Sequence, residues 1–232
     1  MNLRVLFLFA AALSPAVMAI ELAFPAYRNA TYNQKLLLTW QDQLSGVAEV
    51  TSRRDIPIQD ISDLLRNGQM SATLLQVPPT FFYAGIEQGW TPLLRLGKPS
   101  KLAAFAMSSD IKIKTVGTPS PQTVAAKVAP VLTNAPITSF ADHENCLRAA
   151  ASQQVDACVT TQRFAEGYAT RYGIELVPAS EVLTAPPALI FASSRISESM
   201  LDILRNTPIQ LGEHEFIAFD PAQDSLLYES LR

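Results

Sequence analysis

The chain is poor in charged residues and in the side chains that bind metals. Only 17% of its 232 residues are charged, and it has two cysteines and two histidines. The net charge is −3 and the 18 basic residues form no run, so nucleic acid is not expected as a partner. Two cysteines and two histidines are too few for a zinc ribbon or a catalytic zinc site. We therefore expect neither a metal nor a cofactor.

Sequence motifs of the common enzyme classes are missing as well. The sequence has no G-x-S-x-G for a nucleophilic serine, and neither G-x-x-x-x-G-K-[ST] nor G-x-G-x-x-G for nucleotide phosphates. Cys146 and Cys158 are not in a C-x-x-C pair, so redox catalysis is not indicated. These absences predict no catalytic residue and a protein that is not an enzyme. Acid–base chemistry by His143 and Glu144 is the remaining enzymatic hypothesis.

The first 19 residues have the pattern of a secretory signal peptide. Arg4 is followed by an apolar run over residues 5–13, and Val17-Met18-Ala19 is a small-residue cleavage site. The run is shorter than the roughly 20 apolar residues that span a membrane. An uncleaved N-terminal anchor is the alternative. The pattern predicts an exported, soluble protein whose signal peptide covers residues 1–19.

The two cysteines are candidates for a disulfide. Cys146 falls in a predicted helix and Cys158 in the strand predicted after it, and a helical cysteine can lie over the following strand. An exported protein folds in a compartment where disulfides persist. The spacing does not fix the geometry, so the paired and the free state both stay open.

Short β-rich runs alternate with helical patterns after the signal peptide, and the series restarts near residue 107. This alternation predicts two α/β lobes, each a mostly parallel sheet flanked by helices, with the second inserted into the first. Residues 20–106 and 189–232 are predicted to form lobe 1, and residues 107–188 lobe 2. Strands near 102–107 and 188–193 would connect the lobes. The expected ligand site is the cleft between the lobes, at the carboxyl ends of the strands.

A loop with three hydroxyls, residues 117–123, lies between a predicted strand and a predicted helix of lobe 2. Thr118, Ser120 and Thr123, with the unpaired N–H groups of the first helical turn, make a site that suits an oxyanion. The simpler interpretation of Ser120 is a helix N-cap. Both interpretations stay open on this loop alone.

Further candidates lie at other junctions of strand and helix. His143 lies in the first turn of a predicted helix, where its imidazole could donate to an anion or could simply be exposed. Polar side chains also follow apolar strands at Gln76 and Thr80 in lobe 1 and at Thr160 in lobe 2. Tyr27 and Tyr83 could wall the cleft, although aromatic residues near strand ends are more often part of the core.

The order of these segments resembles the periplasmic substrate-binding proteins of ABC transporters, of the phosphate, phosphite and phosphonate type. Residues 117–120 with Thr123 are similar to the oxyanion loop of that family, and residues 140–150 to its helix start with histidine and acid. Residues 153–157 are similar to the loop that leads into its Val-Asp-Ala strand. Residues 186–194 are similar to its return crossover into the first lobe.

This resemblance implies a two-lobed periplasmic-binding-protein fold, type II-like, that closes by hinge motion on a small anionic ligand. The implied oxyanion ligands are Thr118, Ser120, Thr123 and His143, with Tyr27 and Tyr83 as aromatic walls. The implied partner is a membrane permease, and the protein is expected in the periplasm as a monomer. The alternative keeps the fold but presents the bound ligand to a membrane receptor, as a sensor or accessory protein.

Overall fold

The computed structural model describes residues 18–25, 30–68, 71–207, 209–211 and 214–232. Residues 1–17 of the predicted signal peptide lie outside this part of the chain, and Met18 and Ala19 open the first strand. The first half contains β1 (Met18–Pro25), α1 (Ala30–Gln43), β2 (Ala48–Ile56), α2 (Ile61–Asn67), β3 (Thr73–Val77), α3 (Phe82–Glu87), β4 (Thr91–Leu96) and β5 (Ser100–Ala106).

The second half continues the same alternation of strands and helices. It contains β6 (Val116–Thr118), α4 (Val124–Leu132), β7 (Ile137–Ser139), α5 (His143–Ala151), β8 (Ala157–Thr161), α6 (Gln162–Tyr172), β9 (Val177–Pro178), β10 (Leu183–Ala185), β11 (Leu189–Ala192), α7 (Glu198–Arg205), β12 (Ile209–Leu211), β13 (His214–Ala218) and α8 (Pro221–Asp224). Short 3-10 turns lie at Ile58–Asp60, Pro79–Phe81 and Ser225–Leu231.

The strands form two separate sheets. The first has the order β12-β13-β4-β11-β3-β1-β2, and the second has the order β10-β5-β8-β6-β7 with β9 beside β5. In the first sheet β1 is parallel to β2 and β3, and β11 is antiparallel to β3. In the second sheet β6 is parallel to β7 and β8, and β5 is antiparallel to β8. Each sheet therefore has three parallel strands followed by one antiparallel strand that arrives from the other lobe.

The chain changes sheets at 97–99, between β4 and β5, and again at 186–188, between β10 and β11. Residues 100–106 are predicted to lie in lobe 1, whereas β5 pairs with β8 in the second sheet, as Ala104 opposite Val159 illustrates. The return crossing at 186–188 ends where β11 begins, at Leu189. An apolar run in the sequence predicts a buried strand but does not show which sheet the strand joins. The predicted boundary of lobe 1 therefore lies seven residues beyond the observed one.

Both faces of the first sheet are covered by apolar side chains. On one face Leu36, Leu37 and Trp40 of α1 pack against β1 and β3, together with residues of α7. On the other face Phe82 and Phe191 pack with Tyr228 from the C-terminal turn. This two-sided burial is typical of parallel sheets.

The second sheet has two smaller cores. One lies beneath α4 and includes Val128 and Val159, and the other lies beneath α5 and α6 and includes Leu147. Cys146 of α5 and Cys158 of β8 form a disulfide, with 5.7 Å between their Cα atoms. Both cysteines are fully buried. The bond therefore joins α5 directly to the strand on which it packs.

Candidate ligand-binding site

The carboxyl ends of the parallel strands of the two sheets face one crevice. In each sheet the chain passes from the central strand first to one neighbour and then to the other, which creates a switch point at the carboxyl edge. The turn at Pro79–Phe81, after β3, contacts α4 of the opposite lobe. Between the two, Oγ1 of Thr80 donates a hydrogen bond of 2.6 Å to the carbonyl oxygen of Gln122. The lobes are thus in direct contact at this point.

The loop between β6 and α4 presents one buried hydroxyl whose hydrogen-bonding capacity is unused. Thr118 is fully buried, and its Oγ1 has no partner among the described residues. Its backbone is fixed, because the carbonyl oxygen accepts from the Phe140 N–H at 2.8 Å. A Cβ on Gly117 would lie 2.8 Å from the Phe140 ring and 3.1 Å from Cys146 Sγ, so only glycine fits beside Thr118.

The other two hydroxyls of this loop are used within the loop. Thr123 is the N-cap of α4: its Oγ1 accepts from the Ala126 N–H at 3.3 Å and donates to the Ser120 carbonyl at 2.8 Å. The Ser120 hydroxyl donates to the side-chain oxygen of Gln122. The sequence allows Ser120 as the N-cap, whereas the cap of α4 lies three residues later, at Thr123. The loop is a preformed turn, with Thr118 as its unpaired hydroxyl.

His143 and Thr160 form a pair on the other side of lobe 2. Nδ1 of His143 lies 2.7 Å from Oγ1 of Thr160, which is fully buried. The imidazole stacks on the ring of Phe164, with centroids 4.0 Å apart and planes 7° apart. Asp142 caps α5 by accepting from the Asn145 N–H at 2.7 Å. His143 is therefore held in place by a hydrogen bond and an aromatic face, and is not a loosely exposed residue.

Lobe 1 contributes polar groups from the end of β3. Gln76 is fully buried, and neither its Oε1 nor its Nε2 has a partner among the described residues. Tyr83 is half-buried, packs edge-on against Phe82 and lies beneath the Arg232 guanidinium at 4.8 Å. Its ring is thus covered by the C-terminus. Tyr27 lies outside the described residues, so its predicted role stays a prediction.

Two further residues at the amino ends of helices were not predicted from the sequence, Asn33 and Gln122. Asn33, in the first turn of α1, is 2% exposed, and both atoms of its amide lack a partner among the described residues. Gln122 supplies the carbonyl that bonds to Thr80. Asn33 falls at helical spacing before Leu36, Leu37 and Trp40, and a polar residue at the start of such an apolar stripe was the available signal.

The polar side chains at these strand ends are hydroxyls, carboxamides and one imidazole, and the hydroxyls and carboxamides carry no formal charge. Asp156, which lies away from these residues, has a lowered pKa. Its Oδ2 accepts from the backbone N–H groups of Lys114 and Thr115, each at 2.8 Å. Asp156 also lines a depression of about 240 Å³ with Met107 and Gln153. That depression lies before β8 and after β5, at the amino edge of the sheet, away from the crevice.

No group of three His, Cys, Asp or Glu side chains able to hold a metal ion occurs in the described part of the chain. No helix there has the length and apolar character to cross a membrane.

Comparisons with known proteins show the fold. One match is the binding protein component of an ABC phosphonate transporter from Pseudomonas aeruginosa, with 13% identity, TM-score 0.62, and coverage of 92% of this chain and 85% of that one. Another is PhnD1 from Prochlorococcus marinus in complex with methylphosphonate, with 12% identity, TM-score 0.64, and coverage of 91% and 96%. A third is a periplasmic His/Glu/Gln/Arg/opine family-binding protein from Silicibacter pomeroyi in complex with lysine, with 10% identity, TM-score 0.56, and coverage of 79% and 86%.

The chain has the fold of two-lobed periplasmic solute-binding proteins. No family model matches the sequence. No curated protein matches it either. The structural neighbours include binding proteins for phosphonates and for amino acids, and they are binding proteins, not enzymes. The predicted α/β fold of two lobes is therefore confirmed, while the ligand class follows only from the site.

Proposed function

We propose that this protein is a periplasmic solute-binding protein that closes its lobes on a small oxyanion, phosphate- or phosphonate-like, and delivers it to an ABC permease. The observation that carries the proposal is the buried Thr118 hydroxyl, which lacks a partner and lies at the carboxyl end of β6, in the loop that leads into α4. A buried hydroxyl without a partner costs free energy, and an anionic oxygen is the strongest acceptor it could meet.

The loop that carries Thr118, residues 117–123, contains no lysine or arginine, and neutral groups near it favour an anion. The first turns of α4 and α6 begin at strand ends in this crevice and carry N–H groups and positive helix-dipole ends. Thr161, the N-cap residue of α6, makes no side-chain cap bond. His143, whose Nδ1 lies 2.7 Å from Oγ1 of Thr160, begins α5 at the same edge. Neutral donors of this kind bind oxyanions well once water is excluded.

The proposed cycle uses the two chain crossings as hinges. With the lobes apart, water reaches Gln76 and Thr118, and the ligand enters against lobe 2. Closure restores the bond between Thr80 and Gln122 and excludes water, which strengthens the hydrogen bonds to the anion. The closed monomer then presents a single shape to the permease, so that only loaded protein docks.

Binding of methylphosphonate, phosphate, phosphite and sulfate tests the proposal on the purified protein. We expect at least one of them to raise the Tm, since a ligand that prefers the folded state stabilises it by mass action. Thr118→Val should weaken that ligand about 10- to 100-fold, because hydrogen bonds to charged groups contribute about 1.5–3 kcal/mol. The matched control is Thr184→Val, at an exposed position of β10.

Three measurements separate the proposal from its competitors. The ligand-free Tm of Thr118→Val should equal or exceed that of the parent, because the hydroxyl has no bond to lose. If none of the four anions changes the Tm of the parent protein, the proposal fails. Capture of a receptor kinase, in place of a permease, by the loaded protein would support the sensor alternative.

A further inference from the structure

Two buried carboxamides on the lobe 1 side of the crevice have unused hydrogen-bonding capacity. Asn33 is 2% exposed and Gln76 is fully buried. All four amide heteroatoms, Oδ1 and Nδ2 of Asn33 and Oε1 and Nε2 of Gln76, lack partners among the described residues. Buried amides are almost always paired, so two unpaired ones in neighbouring elements require an explanation.

The fold brings these two residues to the same edge and the same face of the first sheet. Gln76 is the penultimate residue of β3, and it shares a face with Leu74, two residues before it. Leu74 packs in the same cluster as Leu36 and Trp40 of α1. Asn33 lies one turn before Leu36, at the amino end of α1, which follows the carboxyl end of β1. Since β1 and β3 are paired, both residues lie toward the carboxyl edge of the first sheet, on the face that α1 covers.

The chemistry of these groups differs from that of lobe 2. Each carboxamide carries a donor and an acceptor but no charge. Such a pair best satisfies a group that also donates and accepts, which is a hydroxyl or an amide. An alkyl group would leave all four atoms unpaired, which is costly.

We infer that lobe 1 holds a second subsite, formed by Asn33 and Gln76, for a neutral hydroxyl-bearing part of the ligand. The ligand class is then a hydroxylated alkylphosphonate or a phosphate monoester of a small polyol. Its oxyanion end would bind at Thr118 and its hydroxyl end at the two amides. This inference rests on the proposed function, because it extends a ligand whose anionic end lies in lobe 2.

A pair of probes that differ by one hydroxyl tests the subsite. Titration calorimetry with ethylphosphonate and 2-hydroxyethylphosphonate should show at least tenfold tighter binding of the hydroxylated compound. In Gln76→Leu and in Asn33→Leu that preference should fall to within about twofold, while ethylphosphonate binds as it does to the parent protein. The matched control is Gln59→Leu, at an exposed position, which should keep the full preference.

A second readout on the ligand-free protein excludes a merely structural role. Because the amides have no partners to lose, Gln76→Leu should keep or raise the Tm, whereas a structural glutamine would lower it. Equal affinity of the parent for the two probes, or preference unchanged in both variants, overturns the subsite and leaves the proposed function standing. Failure of both probes and of the four simple anions overturns the proposed function, and the subsite with it.

Discussion

Thr80 and Gln122 join the two lobes directly. Thr80 follows β3 in lobe 1, Gln122 precedes α4 in lobe 2, and the threonine hydroxyl donates to the glutamine carbonyl at 2.6 Å. The side chain of Gln122 at the same time accepts from Ser120, which keeps the loop in the shape that presents its carbonyl. We therefore expect this bond to form when the crevice closes and to break when it opens. It lies beside the residues that we propose bind the ligand.

Thr80→Val removes this bond with little change in side-chain volume. We expect the ligand-free protein to spend more time open and therefore to show a larger radius of gyration by small-angle X-ray scattering. The affinity for the best anion should fall about two- to tenfold, since a neutral hydrogen bond contributes about 0.5–1.5 kcal/mol. Thr184→Val should change neither quantity. An unchanged radius and affinity in Thr80→Val would mean that this contact does not influence closure.

The disulfide between Cys146 and Cys158 should contribute to the stability of lobe 2. It closes a loop with a sequence separation of 12, for which the chain-entropy relation gives about 3 kcal/mol. We expect the Cys146→Ala, Cys158→Ala double variant to lose about that much unfolding free energy in urea. Addition of dithiothreitol should destabilise the parent by a similar amount and leave the double variant unchanged. A reductant effect on the double variant would place the sensitive group elsewhere.

The strand ends of lobe 2 that carry the candidate residues could be predicted from sequence because they follow regular patterns. Short apolar runs end at Thr118 and Thr160, and parallel strands bring such ends to one edge. The sequence does not show which hydrogen bonds the side chains at that edge make. Whether a hydroxyl caps a helix or stays unpaired depends on the geometry of the turn: Thr123 caps α4, Ser120 bonds to Gln122, and Thr118 has no partner among the described residues.

The lobe 1 half was harder for a physical reason. Asn33 is a polar residue in an amphipathic helix. Sequence periodicity can place such a residue on the apolar face of the helix, but it does not show that the residue lies at the crevice. The strand β4 was also missed, because Pro92 lies within Thr91–Leu96 and weakens the strand pattern. The sheet membership of β5 depends on long-range pairing, which periodicity does not encode.

Tyr228 couples the C-terminal turn to the second chain crossing. Its hydroxyl donates to the Pro187 carbonyl at 2.8 Å, and its ring stacks on Phe82 with centroids 4.2 Å apart. The side chain is fully buried, and this burial raises the pKa of Tyr228 above its usual value of 10.0. The neutral hydroxyl is thus part of the structure that supports the crossing at 186–188.

Tyr228→Phe keeps the ring and removes the hydroxyl, so it should cost about 0.5–1.5 kcal/mol of unfolding free energy at pH 7.

The unfolding free energy should also depend on pH through the Tyr228 hydroxyl. Because the pKa is higher in the folded state, the stabilisation from this group is complete below pH 10 and is lost as the pH rises through the folded value. The parent should therefore lose stability above pH 10 more steeply than Tyr228→Phe, as urea unfolding at pH 7, 9 and 10.5 would measure. Parallel pH curves for the parent and Tyr228→Phe would show that the hydroxyl ionises in the folded state as readily as it does in the unfolded chain.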